Sequence, residues 1–414
     1  MDLLRRKTMG RLAEIFRVNA LKLDRWNRVM GFDRLASTIV SSLPATQRQL
    51  LEAYAAGVNQ VMAAAPIVPV EFTLLRYRPA PWRPDDSVLV MLRMQALLSW
   101  SADQERTATV MRQALPPSVV AFLTPERDCY NEQLAPRDPA SCAGGGLPTS
   151  DLIEVMKAAS GRETKGDDIV SLPNSPNGSN AFAVGPAKLR DGRTILANDI
   201  HLDLSVPNIW YRAEVHYPGS SLSGLTSPSL PVLTAGSNGR LAWGLTNVEG
   251  DFVDLVSIEE DPGSPNRYRT PAGHLSFETR SETIHVRGGA DEILKIRSTI
   301  WGPVLPEPLL GRQVAAHLTA LDPTAADLGI SDIGSATTIG SAIAIIHHAG
   351  GPPLNVVLAD DSGNIAWTFM GRIPRRSGMD GLFSESWADA LKAGMAIYRE
   401  TSCQKSSIRL TDTL

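Results

Sequence analysis

The chain has 414 residues, 43% of them hydrophobic and 20% charged, a balance that can bury a sizeable core. Net charge is -4 at pH 7 with no clustered Lys/Arg face, so the electrostatic footprint of a nucleic-acid binder is missing. No apolar run reaches the ~18 residues of a membrane span.

Residues 7–65 read as mainly helical. Leu12, Ile15 and Phe16 mark a short amphipathic segment. Leu51, Ala55, Val58 and Met62, with Leu50, Tyr54 and Val61 beside them, recur at helical spacing. Thr46 is the expected N-cap of that helix and Pro66 ends the pattern. A Pro/Trp-rich break over Pro79–Pro84 precedes a helical run from about Asp86 to Gln113. Ala143-Gly144-Gly145-Gly146 then opens a polar region that extends to Gly178. One short helix is expected there, Asp151 to Ala159; the remainder has the composition of a linker or a removable spacer. The cysteines Cys129, Cys142 and Cys403 show no metal-ligand spacing and lie in no nucleophile motif. Cys129 and Cys142 can pair if the compartment is oxidising, which the sequence leaves open.

After Ser179 the pattern changes. Ala181–Val184 begins an apolar strand, and Asp191-Gly192 reads as its hairpin turn. Ile195–Ala197, Val232–Thr234, Leu241–Trp243, Thr283–Val286, Ile293–Ile296, Val356–Leu358 and Ile365–Trp367 are further short β-like runs. Asp361-Ser362-Gly363-Asn364 supplies a turn between the last two. A helix is expected at about Ser335 to His348. The organisation is therefore a helical part over 1–150, a spacer over 151–178, a β-rich part over 179–385 and an atypical tail over 386–414.

Four clusters carry chemistry. Pro173-Asn174-Ser175-Pro176-Asn177-Gly178 is a turn-rich loop that runs into Ser179-Asn180. Ala197-Asn198-Asp199-Ile200-His201-Leu202 places His201 22 residues after Ser179. Gly236-Ser237-Asn238 leads to Ala242-Trp243-Gly244-Leu245-Thr246-Asn247, and Asp251-Phe252-Val253-Asp254 follows. Each alone has an ordinary structural explanation as a turn, a strand end or a capped loop.

Together, in this order, the clusters resemble the penicillin acylase family of N-terminal nucleophile hydrolases, which includes acyl-homoserine-lactone and cephalosporin acylases. Gly10–Glu14, Ala53–Asn59 and Pro79–Trp82 look like its helical α-subunit; Pro207–Tyr211 and Gly371–Pro374 look like its β-subunit. The resemblance implies an α+β fold, the αββα four-layer sandwich. It also implies cleavage of a precursor at Gly178-Ser179, which gives α and β subunits from one chain and leaves Ser179 as nucleophile with a free α-amine. The substrate so implied is a small-molecule N-acyl amide, hydrolysed through an acyl-enzyme. The backbone N–H of Asn247 would help hold the oxyanion, and His201 would orient the nucleophile. No cofactor is implied for catalysis. A structural Ca²⁺ is, with Asp251, Asp254, the carbonyl of Val253 and Glu105 as ligands. The acyl pocket would lie near Met94 to Trp100.

Two departures set a further expectation. The family is periplasmic or secreted, yet Met1–Arg6 leads into no apolar signal-peptide core. The family's second oxyanion donor, a side-chain asparagine, has no counterpart in Trp387 to Leu414. The sequence thus predicts a member truncated at both ends, with activity impaired or lost.

Overall fold

Gly10 and Gly31 divide the first forty residues into short helices. Both have positive φ, 65° and 71°, which a glycine adopts without strain. A Cβ at Gly10 would also meet the Asp24 carbonyl oxygen at 2.7 Å. The helices they separate are α1 (Asp2–Met9), α2 (Ala13–Phe16), α3 (Leu21–Met30) and α4 (Phe32–Ser42). Asp24 is fully buried and accepts the N–H groups of Leu12 and Ala13 at 3.0 and 2.6 Å, which fixes the start of α2 against α3. The computed structural model describes residues 1–65, 69–125, 147–160, 178–202, 206, 208–376 and 378–389, with a short strand at Ala396–Tyr398. Pro66, the three cysteines, Ala143–Gly146, residues 173–177, Pro207 and most of the tail lie outside the described residues.

The long helix α5 runs over Ala45–Ala64. It starts behind Pro44, so Thr46 sits inside its first turn rather than at the N-cap. Leu51 and Ala55 are buried, but Val61 and Met62 are 70% and 38% exposed, so the second half of the apolar stripe leaves the core. After α6 (Val70–Leu75), the run expected as one helix divides into α7 (Pro84–Ser99) and α8 (Ala102–Ala114), with extended backbone at Trp100 between them. Pro84 at the first position and Asp86, which accepts the Arg83 N–H at 2.8 Å, open α7. Helix α9 (Pro117–Leu123) and a helix over Thr149–Ala159 complete the helical part.

The β-rich part begins with the hairpin of β1 (Asn180–Val184) and β2 (Ile195–Asp199). Next come β3 (Tyr211–Tyr217), β4 (Ser220–Thr226), β5 (Ala235–Ser237), β6 (Leu241–Asn247) and β7 (Val253–Ser257). The run Val232–Thr234 forms no strand; pairing starts at Ala235, where Gly236 lies against Gly224. Strands β8 (Glu260–Asp261), β9 (Ser264–Thr270), β10 (Gly273–Ser276), β11 (Glu278–Ile284), β12 (Glu292–Thr299) and β13 (Gly302–Pro303) form two three-stranded sheets. Strand β14 (Val314–Leu318) pairs with β7, and β15 (Leu354–Asp360) and β16 (Ile365–Met370) complete a six-stranded antiparallel sheet ordered β16-β15-β6-β5-β4-β3. Asp360 closes the turn before β16 by accepting the N–H groups of Ser362 and Asn364.

Side-chain alternation separates two faces of that sheet. Leu241, Trp243, Leu245, Val356, Leu358 and Ala366 pack on Ile339, Ala342 and Ile346 of the helix Ile339–His348. The intervening Val357, Ala359 and Ile365 pack on Ala183 of β1. The described residues therefore stack helix, six-stranded sheet and hairpin sheet in an α+β fold, three layers of the expected αββα sandwich. The helical part shares a core with the other strand pair: Phe32, Ile39, Leu89 and Leu92 lie in one cluster with Val253, Leu255 and Ala316. Among the described residues, no helix is long and apolar enough to cross a membrane.

Candidate active site

The register of the first hairpin assembles the site. Asn180 pairs with Asp199 and Ala181 with Asn198, so the residues just before β1 meet those just after β2. The His201 N–H donates to Ser179 Oγ at 3.2 Å. His201 Nε2 and Asp199 Oδ2 lie 2.5 Å apart, and the imidazole holds the Asp199 carboxyl below its ordinary value. Gly178 has open space where a side chain would project.

Asn198 ties this hairpin to the central sheet. Its Oδ1 accepts the Leu245 N–H at 3.0 Å, and its Nδ2 donates to the carbonyls of Leu245 at 3.1 Å and Asn180 at 2.9 Å. The amide lies flat on β6 at Gly244, where a Cβ would come within 2.9 Å of the Asn198 Cβ. The glycine of Ala242-Trp243-Gly244 and the asparagine before Asp199 are thus two halves of one contact. Asn247 ends β6; its carbonyl accepts Asn355 Nδ2 at 3.0 Å, and its own Oδ1 is buried without a hydrogen-bond partner.

Ser179, His201, Thr246 and Asn247 form the polar end of a cavity of about 110 Å³. The rest is mainly apolar, with Met91, Met94 and Leu98 from α7 facing Leu230, Val232 and Met370. The pocket helix expected near Met94 to Trp100 is therefore α7, but Trp100 packs edge-on against Trp26 at 5.3 Å instead of lining the cavity. Two further lining residues, Trp210 of the Pro207–Tyr211 stretch and Asp327, stand in none of the four clusters. Trp210 Nε1 is buried there without a partner, and Asp327 uses Oδ1 to accept the N–H groups of Gly329 and Gly350 at 2.7 and 2.9 Å. Such residues come from connections whose position only the packed fold determines.

Glu105, Asp251, Val253 and Asp254 form a second group away from this cavity. Glu105 on α8 is 4% exposed, and its Oε2 accepts the Leu255 N–H at 2.8 Å. Burial pushes its carboxyl up to about 9, so it holds its proton at neutral pH. Asp251 and Asp254 are also raised, chiefly by burial. Both face the guanidinium of Arg376: its Nε lies 2.9 and 3.1 Å from the Asp254 carboxylate oxygens, and an NH₂ group 2.9 Å from Asp251 Oδ2. The second Asp251 oxygen accepts Ser101 Oγ at 2.8 Å. Ca²⁺ requires 6–8 oxygens converging at 2.3–2.6 Å. Among the described residues, no three His, Cys, Asp or Glu side chains are gathered to hold a metal ion.

Comparison with known proteins gives the class. The model of the family described as penicillin amidase matches residues 1–397, and the chain belongs to that family. Acyl-homoserine lactone acylase QuiP of Pseudomonas aeruginosa is 29% identical over 401 residues, covering 93% of this chain and 46% of that protein. Penicillin acylase 2 proenzyme of Pseudomonas sp. strain SE83 is 28% identical, covering 91% of this chain and 48% of the proenzyme. The chain thus spans about half the length of these relatives. A solved penicillin G acylase from Alcaligenes faecalis aligns at a TM-score of 0.48 and 23% identity, over 52% of this chain and 40% of that one.

Proposed function

We propose that this protein is an amidohydrolase that cleaves a linear N-acyl amide with Ser179 as nucleophile, after cleavage of its own chain at Gly178-Ser179. The observation that carries this reading is the position of Ser179 Oγ, 3.2 Å from the His201 N–H at the polar end of an apolar cavity. Cleavage before Ser179 frees an α-amine whose reference pKa is about 7.7–8.0, so near neutral pH it can take the proton of its own hydroxyl. Oγ then adds to the substrate carbonyl. The amine leaves with that proton, and water hydrolyses the resulting ester. Donors at the cavity's polar end, with the Asn247 N–H among them, would hold the oxyanion; such a donor is typically worth about 2.7–4 kcal/mol of barrier.

The Met91, Met94 and Leu98 wall suits an apolar acyl group, in keeping with the acyl-homoserine lactone and penicillin acylases among the relatives. Mass spectrometry and N-terminal sequencing of the purified protein test the reading. Two polypeptides, one beginning at Ser179, are expected together with release of the amine from an N-acyl substrate. A single uncut 44.6 kDa chain without amidase activity overturns it.

A further inference from the structure

Three chain segments meet at the guanidinium of Arg376. The first is the start of α8 with the residues before it, where Ser101 donates to Asp251 Oδ1. The second is the turn into β7, which supplies Asp251, with the start of the strand, which supplies Asp254. Besides its carboxylate contacts, Arg376 donates from an NH₂ group to the Asp251 carbonyl at 3.2 Å. The third is the segment after β17 (Ile373–Arg375), which continues to Ser384 and Glu385. There the Ser384 N–H donates to Thr109 Oγ1 of α8 at 2.8 Å, and Ser384 Oγ donates to the Leu255 carbonyl at 2.5 Å. The Glu385 carbonyl accepts the Ser257 N–H at 2.9 Å. The edge of β7 opposite β14 is thereby covered, with the Leu255 N–H on Glu105 and its carbonyl on Ser384.

Inside this clasp one guanidinium serves two carboxylates. The Asp254 side chain is 4% exposed and that of Arg376 13%. A buried carboxylate persists only with a partner. Here the Asp254 carboxylate has the Arg376 Nε on both oxygens, and the guanidinium reaches Asp251 from its other side. A second, independent feature shows that the fold is shaped around this cation. Gly381 has φ +85°, and a Cβ there would lie 2.4 Å from Arg376 Nε and 2.6 Å from Asp251 Oδ2. The chain passes over the ion pair at a distance only glycine permits. A divalent ion in the same position would have to displace a guanidinium that already makes hydrogen bonds to both aspartates.

We propose that Arg376 is the resident counter-ion of the Asp251–Asp254 pair, so that this member of the family holds its helical part against β7 without calcium. The guanidinium does the electrostatic work of a cation and, being covalently part of the chain, cannot be removed by a chelator.

Thermal unfolding of the full chain tests this, with and without EDTA and with added CaCl₂. The wild-type Tm should shift by less than about 1 °C under either condition, because a ligand that does not bind the native state adds no stability. Arg376→Ala should lower Tm by several degrees and leave two aspartates facing an opened space. Added CaCl₂ should then recover part of that loss in the variant alone. Should Arg376→Ala not fold, Arg376→Lys keeps the charge but loses the two-sided contact, and a smaller fall in Tm is expected. Terbium luminescence gives an independent reading, with binding to the alanine variant and none to the wild type. A wild-type Tm that rises by about 3 °C or more with CaCl₂ and falls with EDTA overturns the proposal. So does stoichiometric terbium binding by the wild type.

Discussion

Ser179 and Arg376 each lie where separate chain segments meet, and the polar atoms around them are satisfied to different degrees. Around Arg376 the carboxylates, carbonyls and hydroxyls are paired with one another: Asp251 with Ser101 and Arg376, Asp254 with Arg376, Glu105 with Leu255. Around Ser179 they are not. Asn247 Oδ1 and Trp210 Nε1 are buried without partners, and both line a cavity. A folded protein pairs most of its buried polar groups, so two unpaired ones that line a cavity are available to a bound ligand. The comparison separates a polar cluster closed on itself from one that opens onto a cavity, although both consist of the same residue types in neighbouring motifs.

The largest expected effect breaks the chemical side alone. Ser179→Ala removes the proposed nucleophile from a half-exposed position, so activity should fall about 10³-fold or more while the Tm stays close to wild type. Processing should stop as well, leaving one chain on a denaturing gel. Equal turnover by Ser179→Ala and wild type would falsify the assignment of the cavity.

A middle-sized effect is expected where the hairpin is tied to the central sheet. Asn198→Ala removes three hydrogen bonds and leaves the Leu245 N–H without an acceptor. The loss should be about 1–3 kcal/mol in urea denaturation. Since Asn198 also sets the hairpin that carries Ser179 and His201, kcat should drop by more than stability alone explains. If kcat is unchanged, the hairpin does not depend on this clamp for its alignment.

The smallest effect contrasts two histidines. His201 is exposed beside Ser179, whereas His317 lies on β14 with Nδ1 2.6 Å from the Trp301 carbonyl and Trp387 packed edge-on against its ring. Burial lowers the His317 pKa below the usual ~6.5. The folded state then binds fewer protons than the unfolded one below that pH. Its contribution to stability is complete above about pH 6.5 and is lost as the pH falls toward the depressed value. His317→Gln should flatten the decline of Tm between about pH 6.5 and 5. A His317→Gln variant whose Tm declines as steeply as that of the wild type over this range would overturn this account.

Much of the fold was legible because its signals are local. Short apolar runs marked β15 and β16, and the Asp-Ser-Gly-Asn turn between them formed as expected, whereas Asp191-Gly192 is only one part of a longer connection over 185–194 that also holds a 3-10 turn at Pro186–Lys188. What failed was equally local in cause. Thr46 has N-cap chemistry, but the chain turns into the helix at Pro44. Val232–Thr234 has strand composition without strand pairing, because it packs against the helix-facing side of the central sheet and toward the cavity.

By itself, the sequence singled out the candidate residues: Ser179 after a turn-rich loop, His201 at a fixed distance, Asn247 at a strand end and the paired aspartates beyond it. Hydrophobic periodicity and motif spacing act over a few residues, so they survive in the linear chain. Only the tertiary structure decided what these residues face. It set Asn198 against Gly244, placed α7 and Ser179 on one cavity and brought Arg376, more than a hundred residues distant in sequence, onto Asp251 and Asp254. A carboxylate's role depends on the charge that reaches it and on the water excluded around it. Both are set by segments that meet only when the core forms.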